Sequence, residues 1–132
     1  MRHTKQVEIR WSDVDAFGHV NHTRFATYFE EARDEWADRA AGSWDGVMEF
    51  VIRRIEIDYL SQLTQRDDYV LATIALDRIG TTSLVTREEM HAGSDGRLVA
   101  RGTCVLVHVD AALAGASPIP EAIRVRLDRA SS

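Results

Sequence analysis

WSDVDAFGHVNHTRFATYFEEAR, residues 11–33, joins a short strand to the one long helix that the periodicity of the chain predicts. Within ten residues the connecting loop carries Asp13, Asp15, His19, Asn21 and His22, and Gly18 supplies a flexible turn beside the imidazole of His19. Few structural loops require such a set. Asn21 stands where a helix would begin, and Asn is a preferred N-cap because its side chain accepts a hydrogen bond from an orphan first-turn N–H. The N–H groups of His22 and Thr23 would then face the loop. With the helix dipole behind them, they favour negative charge, including charge that develops on a carbonyl oxygen during a reaction. A carboxylate, an imidazole and an oxyanion-binding helix end are the parts of an acyl-transfer site.

Working outward, Val7, Ile9 and Trp11 alternate with Glu8 and Arg10, which predicts a half-buried strand before the loop. After it the period changes. Between His22 and Ala41 the residues Phe25, Tyr28, Phe29, Ala32, Trp36 and Ala40 recur at three- and four-residue steps, one face of an amphipathic helix that Gly42 would stop. On the opposite face Glu35 and Arg39 stand four apart, in the order that favours an exposed pair.

From SWDG onward, strands are expected. Val51, Ile55, Ile57 and Tyr59 are predicted to share a face, with Arg53 among them at a frayed start, pointing to solvent. Further strands are expected near Tyr69–Ile79, with Val70, Ala72, Ile74 and Leu76 on one side, then Thr82–His91 and Leu98–Val109. The HAGSDGR segment supplies a hairpin turn. Ala100, Gly102 and Cys104 put small side chains on one face of the last strand, and the aromatic face of the helix is expected to rest there. Pro118 and Pro120 end the strands, and EAIRVRL is predicted as a short helix before a frayed RASS tail, its basic residues solvated. The residues alone therefore give an α+β domain, one helix on a curled antiparallel sheet.

A chain of 132 residues suits a single domain spanning 1–132 with its own core, and a net charge of -5 argues against general nucleic-acid binding. A lone cysteine, Cys104, excludes a disulfide framework and a Cys-based zinc cluster, and is read as a buried, inert thiol. There is no apolar leader and no run long enough to span a membrane, so a cytoplasmic protein is expected.

Asp-x-Asp-x-x-Gly-His-Val-Asn, followed by an aromatic helix ending Glu-x-Ala-Arg, resembles the opening of the hotdog-fold acyl-CoA thioesterases of the 4-hydroxybenzoyl-CoA thioesterase type. The resemblance runs over nearly the whole chain. It implies a hotdog fold, a sheet curled around one long central helix, and hydrolysis of an acyl-CoA or acyl-carrier-protein thioester. Asp15 then matches the catalytic carboxylate, and the N–H near His22 matches the group that polarises the thioester carbonyl. His19 and Asn21 match the GHVN variant of the motif. Three positions depart from the pattern: His22 stands where a second Asn is common, Phe25 replaces a common Tyr, and YLSQLTQRDD lacks its usual Pro. The resemblance also implies a homodimer or homotetramer with sites at the subunit interface, no metal and no separate cofactor, since coenzyme A is part of the substrate.

The chemistry agrees with a small apparatus. A thiol leaving group with a pKa near that of free cysteine, roughly 8.5, needs little protonation, so one carboxylate suffices as nucleophile or general base. No G-x-S-x-G elbow is present. Asp15 has a bland alternative as a loop cap, a job better suited to Asp13, and His19 reads equally as an assistant to Asp15 or as a packed loop histidine. Glu31 on the helix reads first as a surface acid. The phosphates of coenzyme A would want cations, and Arg53, Arg54 and Arg87 are the expected contacts, with Arg78 and Arg101 also available. Two rivals stay open: an enoyl-CoA hydratase or dehydratase on the same fold, and a non-catalytic acyl-CoA-binding protein.

Overall fold

The computed structural model describes residues 2–41, 50–110, 112 and 115–131. Its order is β1 (Arg2–Glu8), α1 (His22–Ala41), β2 (Phe50–Tyr59), β3 (Tyr69–Ile79), β4 (Ser83–Ala92), β5 (Leu98–Asp110), β6 (Gly115–Ala116) and α2 (Glu121–Ser131). The strands form one antiparallel sheet in the order β1-β3-β4-β5-β2, with β6 paired to β5, so β1 and β2 are its edges. The expected helix stripe is the core: Phe25, Tyr28, Phe29, Ala32, Trp36 and Ala40 are all buried. They meet Val70, Ala72 and Ile74 of β3 and Met90 of β4, each fully covered. This is the expected α+β hotdog arrangement, with α1 along the concave face and α2 packed against α1.

Four details differ from the sequence reading. The first strand ends at Glu8, because Asp13 accepts the Arg10 N–H at 3.1 Å and donates its own N–H to the Arg10 carbonyl at 2.9 Å. That tight turn rotates Trp11 out of the expected strand face to 80% exposure. In β2 the pairing to β5 shifts between Ile52 and Arg54, so Arg53 sits at an irregularity inside the strand rather than at a frayed start. The shift changes the shared face: Phe50, Ile52, Ile55, Ile57 and Tyr59 oppose His108, Leu106, Cys104, Gly102 and Ala100, and Val51 falls outside that set. At the C-terminus the helix continues through Ser131, beyond EAIRVRL, and Arg124 donates to the Gly80 carbonyl at 2.7 Å instead of being merely solvated. The Gly42 stop and the SWDG segment lie outside the described residues.

The fourth difference concerns the small residues of β5. Helix α1 packs chiefly on β1 and β3 and does not settle on Ala100, Gly102 and Cys104. A Cβ at Gly102 would collide with the carbonyl oxygen of Glu56, so this glycine admits the close approach of the β2 backbone. On the neighbouring strand Glu88, 1% exposed, is the cross-strand partner of Gly102. It is met by Arg33 of α1, whose Nε and Nη2 donate to the two carboxylate oxygens at 2.8 and 2.7 Å, while Thr86 donates at 2.8 Å. Burial works against the Arg33 charge, but the bonds and field of Glu88 outweigh it and raise the guanidinium pKa. Cys104 is buried as expected, and burial pushes its thiol up to about 11.

The ion pair is a buried tie between helix and sheet, and losing one partner strands the other's charge. Glu88→Gln should cost about 3 kcal/mol of unfolding free energy in denaturant titrations. The Arg33→Met, Glu88→Leu double variant should recover most of that loss; a double variant as unstable as the single would show that packing, not stranded charge, sets the cost.

Candidate functional site

The site loop is a tight turn tied by four backbone hydrogen bonds. The Asp15 N–H donates to the His19 carbonyl at 2.8 Å, the Gly18 N–H donates to the Asp15 carbonyl at 3.1 Å, and Gly18 adopts φ +82°, the left-handed conformation that glycine takes most readily. Val20 donates to the Leu63 carbonyl at 2.7 Å, and Asn21 donates to the Asp13 carbonyl at 2.8 Å. The turn is thus held against the 60–68 segment on one side and the start of α1 on the other.

Within this frame the two aspartates separate. Asp13 is buried and saturated: it accepts from the Tyr28 hydroxyl at 2.7 Å and from Arg10 Nη2 at 3.0 Å, with Arg24 Nε at 3.6 Å. Burial alone would raise its pKa, yet the bonds from Tyr28 and Arg10 outweigh burial and hold it below the usual carboxylate range. Burial, with the same contact adding to it, pushes the Tyr28 phenol well above its ordinary value. Asp13 is a structural anion. Asp15 is half-buried, and its Oδ1 accepts the N–H groups of Phe17 at 2.9 Å and His19 at 3.4 Å. Two N–H groups fix the carboxylate's orientation through this one oxygen and leave Oδ2 for chemistry.

Asn21 caps α1 as the sequence predicts: its Oδ1 accepts the Thr23 N–H at 2.9 Å and the Thr23 hydroxyl at 2.7 Å, and its carbonyl accepts the Arg24 N–H at 2.9 Å. Those bonds occupy the N–H groups of Thr23 and Arg24. The N–H of His22 is the remaining early donor, with the helix dipole behind it. The exposed His22 ring stands edge-on to Tyr59, 6.0 Å between centroids, and the buried Phe25 ring lies 5.2 Å from the same tyrosine. His19 joins Asp15 through backbone groups, and its half-buried ring lies on the same turn.

The arginines expected to meet coenzyme A lie elsewhere on the sheet. Arg53 is exposed at the β2 irregularity, Arg54 pairs with Glu56 beside it, and Arg87 reaches Asp77 at 3.1 Å. The structure instead brings Arg10 and Arg24 to the site loop through Asp13. Glu31 is exposed. Sequence reading also missed Tyr59 as a site residue: its place at the end of the apolar face of β2 was legible, but its contact with α1 depends on strand order. No helix among the described residues is long and apolar enough to cross a membrane, and no three metal-ligating side chains are grouped among them.

A sheet curled along one helix, with a carboxylate turn feeding a capped helix start, is the hotdog arrangement. The chain belongs to the thioesterase-like superfamily, whose family model matches residues 9–127, and it is a thioester hydrolase. Its structure is similar to that of a thioesterase from Thermus thermophilus solved with coenzyme A and zinc. The two are 32% identical, with a TM-score of 0.86 over 98% of this chain and 93% of that one. A protein from Bacillus stearothermophilus, described as a predicted thioesterase, is equally 32% identical, with a TM-score of 0.87 over 98% and 96% of the two chains. A 1,4-dihydroxy-2-naphthoyl-CoA thioesterase from Synechocystis, 16% identical, shares the fold with a TM-score of 0.84 over 97% and 96%. Among curated proteins none matches this sequence.

The 60–68 segment that supports Val20 is itself held by Arg97, which donates to Ser61 Oγ at 3.0 Å, the Gln62 carbonyl at 2.6 Å and both oxygens of buried Asp67 at 3.0 and 3.1 Å. Arg97, more than Ser94 and the Thr64 N–H, holds the Asp67 carboxyl down to about 2 against the opposing effect of burial. Because the folded value lies below that of the unfolded chain, near 3.9, the contribution is present above about pH 4 and is lost as pH falls toward 2. It amounts to about 2 kcal/mol. Asp67→Asn should therefore be less stable than wild type by about that amount at neutral pH, with the gap closing between pH 4 and 2 in urea titrations. A gap independent of pH would assign the loss to packing.

Proposed function

We propose that the chain hydrolyses acyl-CoA thioesters with Asp15 as the catalytic carboxylate and the His22 N–H as the donor to the developing oxyanion. The observation that carries this reading is the state of Asp15: Oδ1 is pinned by the N–H groups of Phe17 and His19, and the turn that holds it runs directly into the Asn21-capped helix. The thioester carbonyl oxygen receives the His22 N–H, where the helix end favours its growing charge. Asp15 then either adds to the carbonyl carbon, expelling the thiolate and leaving a mixed anhydride for water, or takes a proton from the water that adds. His19, on the same turn, supports that proton transfer. Match to a thioesterase family, and coenzyme A in a relative 32% identical, favour hydrolysis of a coenzyme A thioester over hydration of the acyl chain.

Asp15→Asn should lower kcat for thiol release from an acyl-CoA panel by at least about a thousandfold with unchanged circular dichroism; undiminished turnover would remove Asp15 from the mechanism. Single turnover in heavy-oxygen water identifies an anhydride opened at its aspartyl carbon, because that course alone leaves label in the Asp15 carboxylate.

The site is proposed to be completed by a second copy of the chain. Edge strand β2 exposes Val51, Ile52, Ile55 and Tyr59, with Leu60 beyond it, and Trp11 and Phe17 stand out from the site loop at 80% and 85% exposure. Exposed apolar residues along an unpaired strand edge favour association. Light scattering should give a dimer or a multiple of it, and Ile55→Lys should shift the protein toward monomer with loss of turnover. An active wild-type monomer would contradict shared sites.

A further inference from the structure

An apolar cleft stands apart from Asp15. It lies between the second half of α1, the start of β2 and α2, has a volume of about 170 Å³, and is lined by Trp36, Phe50, Ile52, Leu84, Leu106 and Leu127. Apolar cavities of roughly 150 Å³ lined by Leu, Ile and Phe take up a benzene-sized group, so this volume admits the end of a hydrocarbon chain. We propose that the cleft receives the distal end of the acyl group, and that the enzyme's substrates are fatty acyl thioesters of about a dozen carbons or more. This rests on the assignment of the thioester carbonyl to the His22 end of α1.

Three features connect the two ends. First, the inner face of β2 is a continuous apolar row, Tyr59, Ile57, Ile55, Ile52 and Phe50: Tyr59 meets His22 and Phe25 at one end, and Ile52 and Phe50 line the cleft at the other. Because α1 packs chiefly on β1 and β3, it leaves this row partly open within the single chain, with Tyr59, Ile55 and Ile52 at 49%, 38% and 41% exposure. Second, the lengths agree. From His22 to Trp36 the helix rises about 21 Å, and from Tyr59 to Ile52 the strand spans about 23 Å. The near wall of the cleft, at Arg33, lies about 16 Å along the helix, the reach of roughly a dozen extended methylenes. Acetyl, benzoyl and other short groups would end well before it.

Third, the charges suit a tail and not a carrier. Arg33 lines the cleft, but its guanidinium is engaged bidentately by Glu88, so it contributes its aliphatic stem rather than an anion site. The other charged residues of the lining, Glu30 and Asp34, repel phosphate. A coenzyme A thioester would therefore enter with its phosphates away from the cleft and its methyl end toward it.

The test is a chain-length series of butyryl-, octanoyl- and myristoyl-CoA with wild type, Ala37→Phe and Ile52→Trp; Ala37 lines the cleft from α1 and Ile52 is a half-exposed strand residue. In wild type kcat/KM should rise at least about tenfold from butyryl to myristoyl, and each filling substitution should lower the myristoyl-to-butyryl ratio by about tenfold or more. Wild-type hydrolysis indifferent to chain length, or a ratio kept in both variants, would overturn the proposal while leaving the thioesterase reading in place. Calorimetry with tetradecyl-CoA and butyl-CoA thioethers, which cannot be hydrolysed, reads the cleft independently of catalysis. Tighter binding of the longer thioether, weakened in both variants, supports the cleft even if Asp15 proves dispensable. Equal affinities for the two thioethers would overturn it.

Discussion

A single helix about 10 Å across cannot cover a sheet of five strands spaced about 4.8 Å apart, and most of this molecule follows from that mismatch. Helix α1 takes one side of the concave face, over β1 and β3, where Phe29, Ala32, Val70, Ala72 and Ile74 are sealed from water. The β5 and β2 side is left without a helix of its own. Strand β2 is consequently both a sheet edge and a partly bare apolar face, which explains why its inner residues are hydrophobic and yet between a third and a half exposed. In an isolated domain such a face would be a liability.

The buried ion pair of Arg33 and Glu88 belongs to the same geometry. Where helix and sheet begin to separate, hydrophobic contact can no longer fix their spacing, and a bidentate pair of defined length spans the gap. Removing both partners in favour of hydrocarbon could leave the fold standing, since buried pairs contribute more to geometry than to net stability. Arg33 closes the Glu-x-Ala-Arg end of the motif, so that residue pattern marks a structural tie in the middle of α1.

Much of the fold was legible because it is written in short-range periodicity. The stripe from Phe25 to Ala40 gave α1 its bounds, and alternation at Val70, Ala72 and Ile74 gave β3. What failed is set by contacts that periodicity does not encode. Trp11 obeys the strand alternation but is turned out by a carboxylate two residues later, and the register shift at Arg53 reverses which valine and isoleucine share a face. The small residues of β5 were correctly singled out, yet the element that approaches them is the β2 backbone and not the helix, a matter of strand order that a linear pattern does not encode. In the site loop, the structural role of Asp13 was readable from turn chemistry, whereas the arrival of Arg10, Arg24 and Tyr59 was not.

Phe25 shows how a departure from a family pattern can be read physically. The ring is buried at 3% exposure and meets Tyr59 edge-on, so this position serves as an apolar wall joining the helix start to the end of β2. A hydroxyl there would need a partner in a place where the neighbours are aromatic edges and faces. The change to His at residue 22 is complementary: an exposed imidazole now stands against the same tyrosine, one turn nearer the loop. The phenol of Tyr59 and the imidazole of His22 stand at the solvent end of that wall, where they meet water without burying an unpaired polar group.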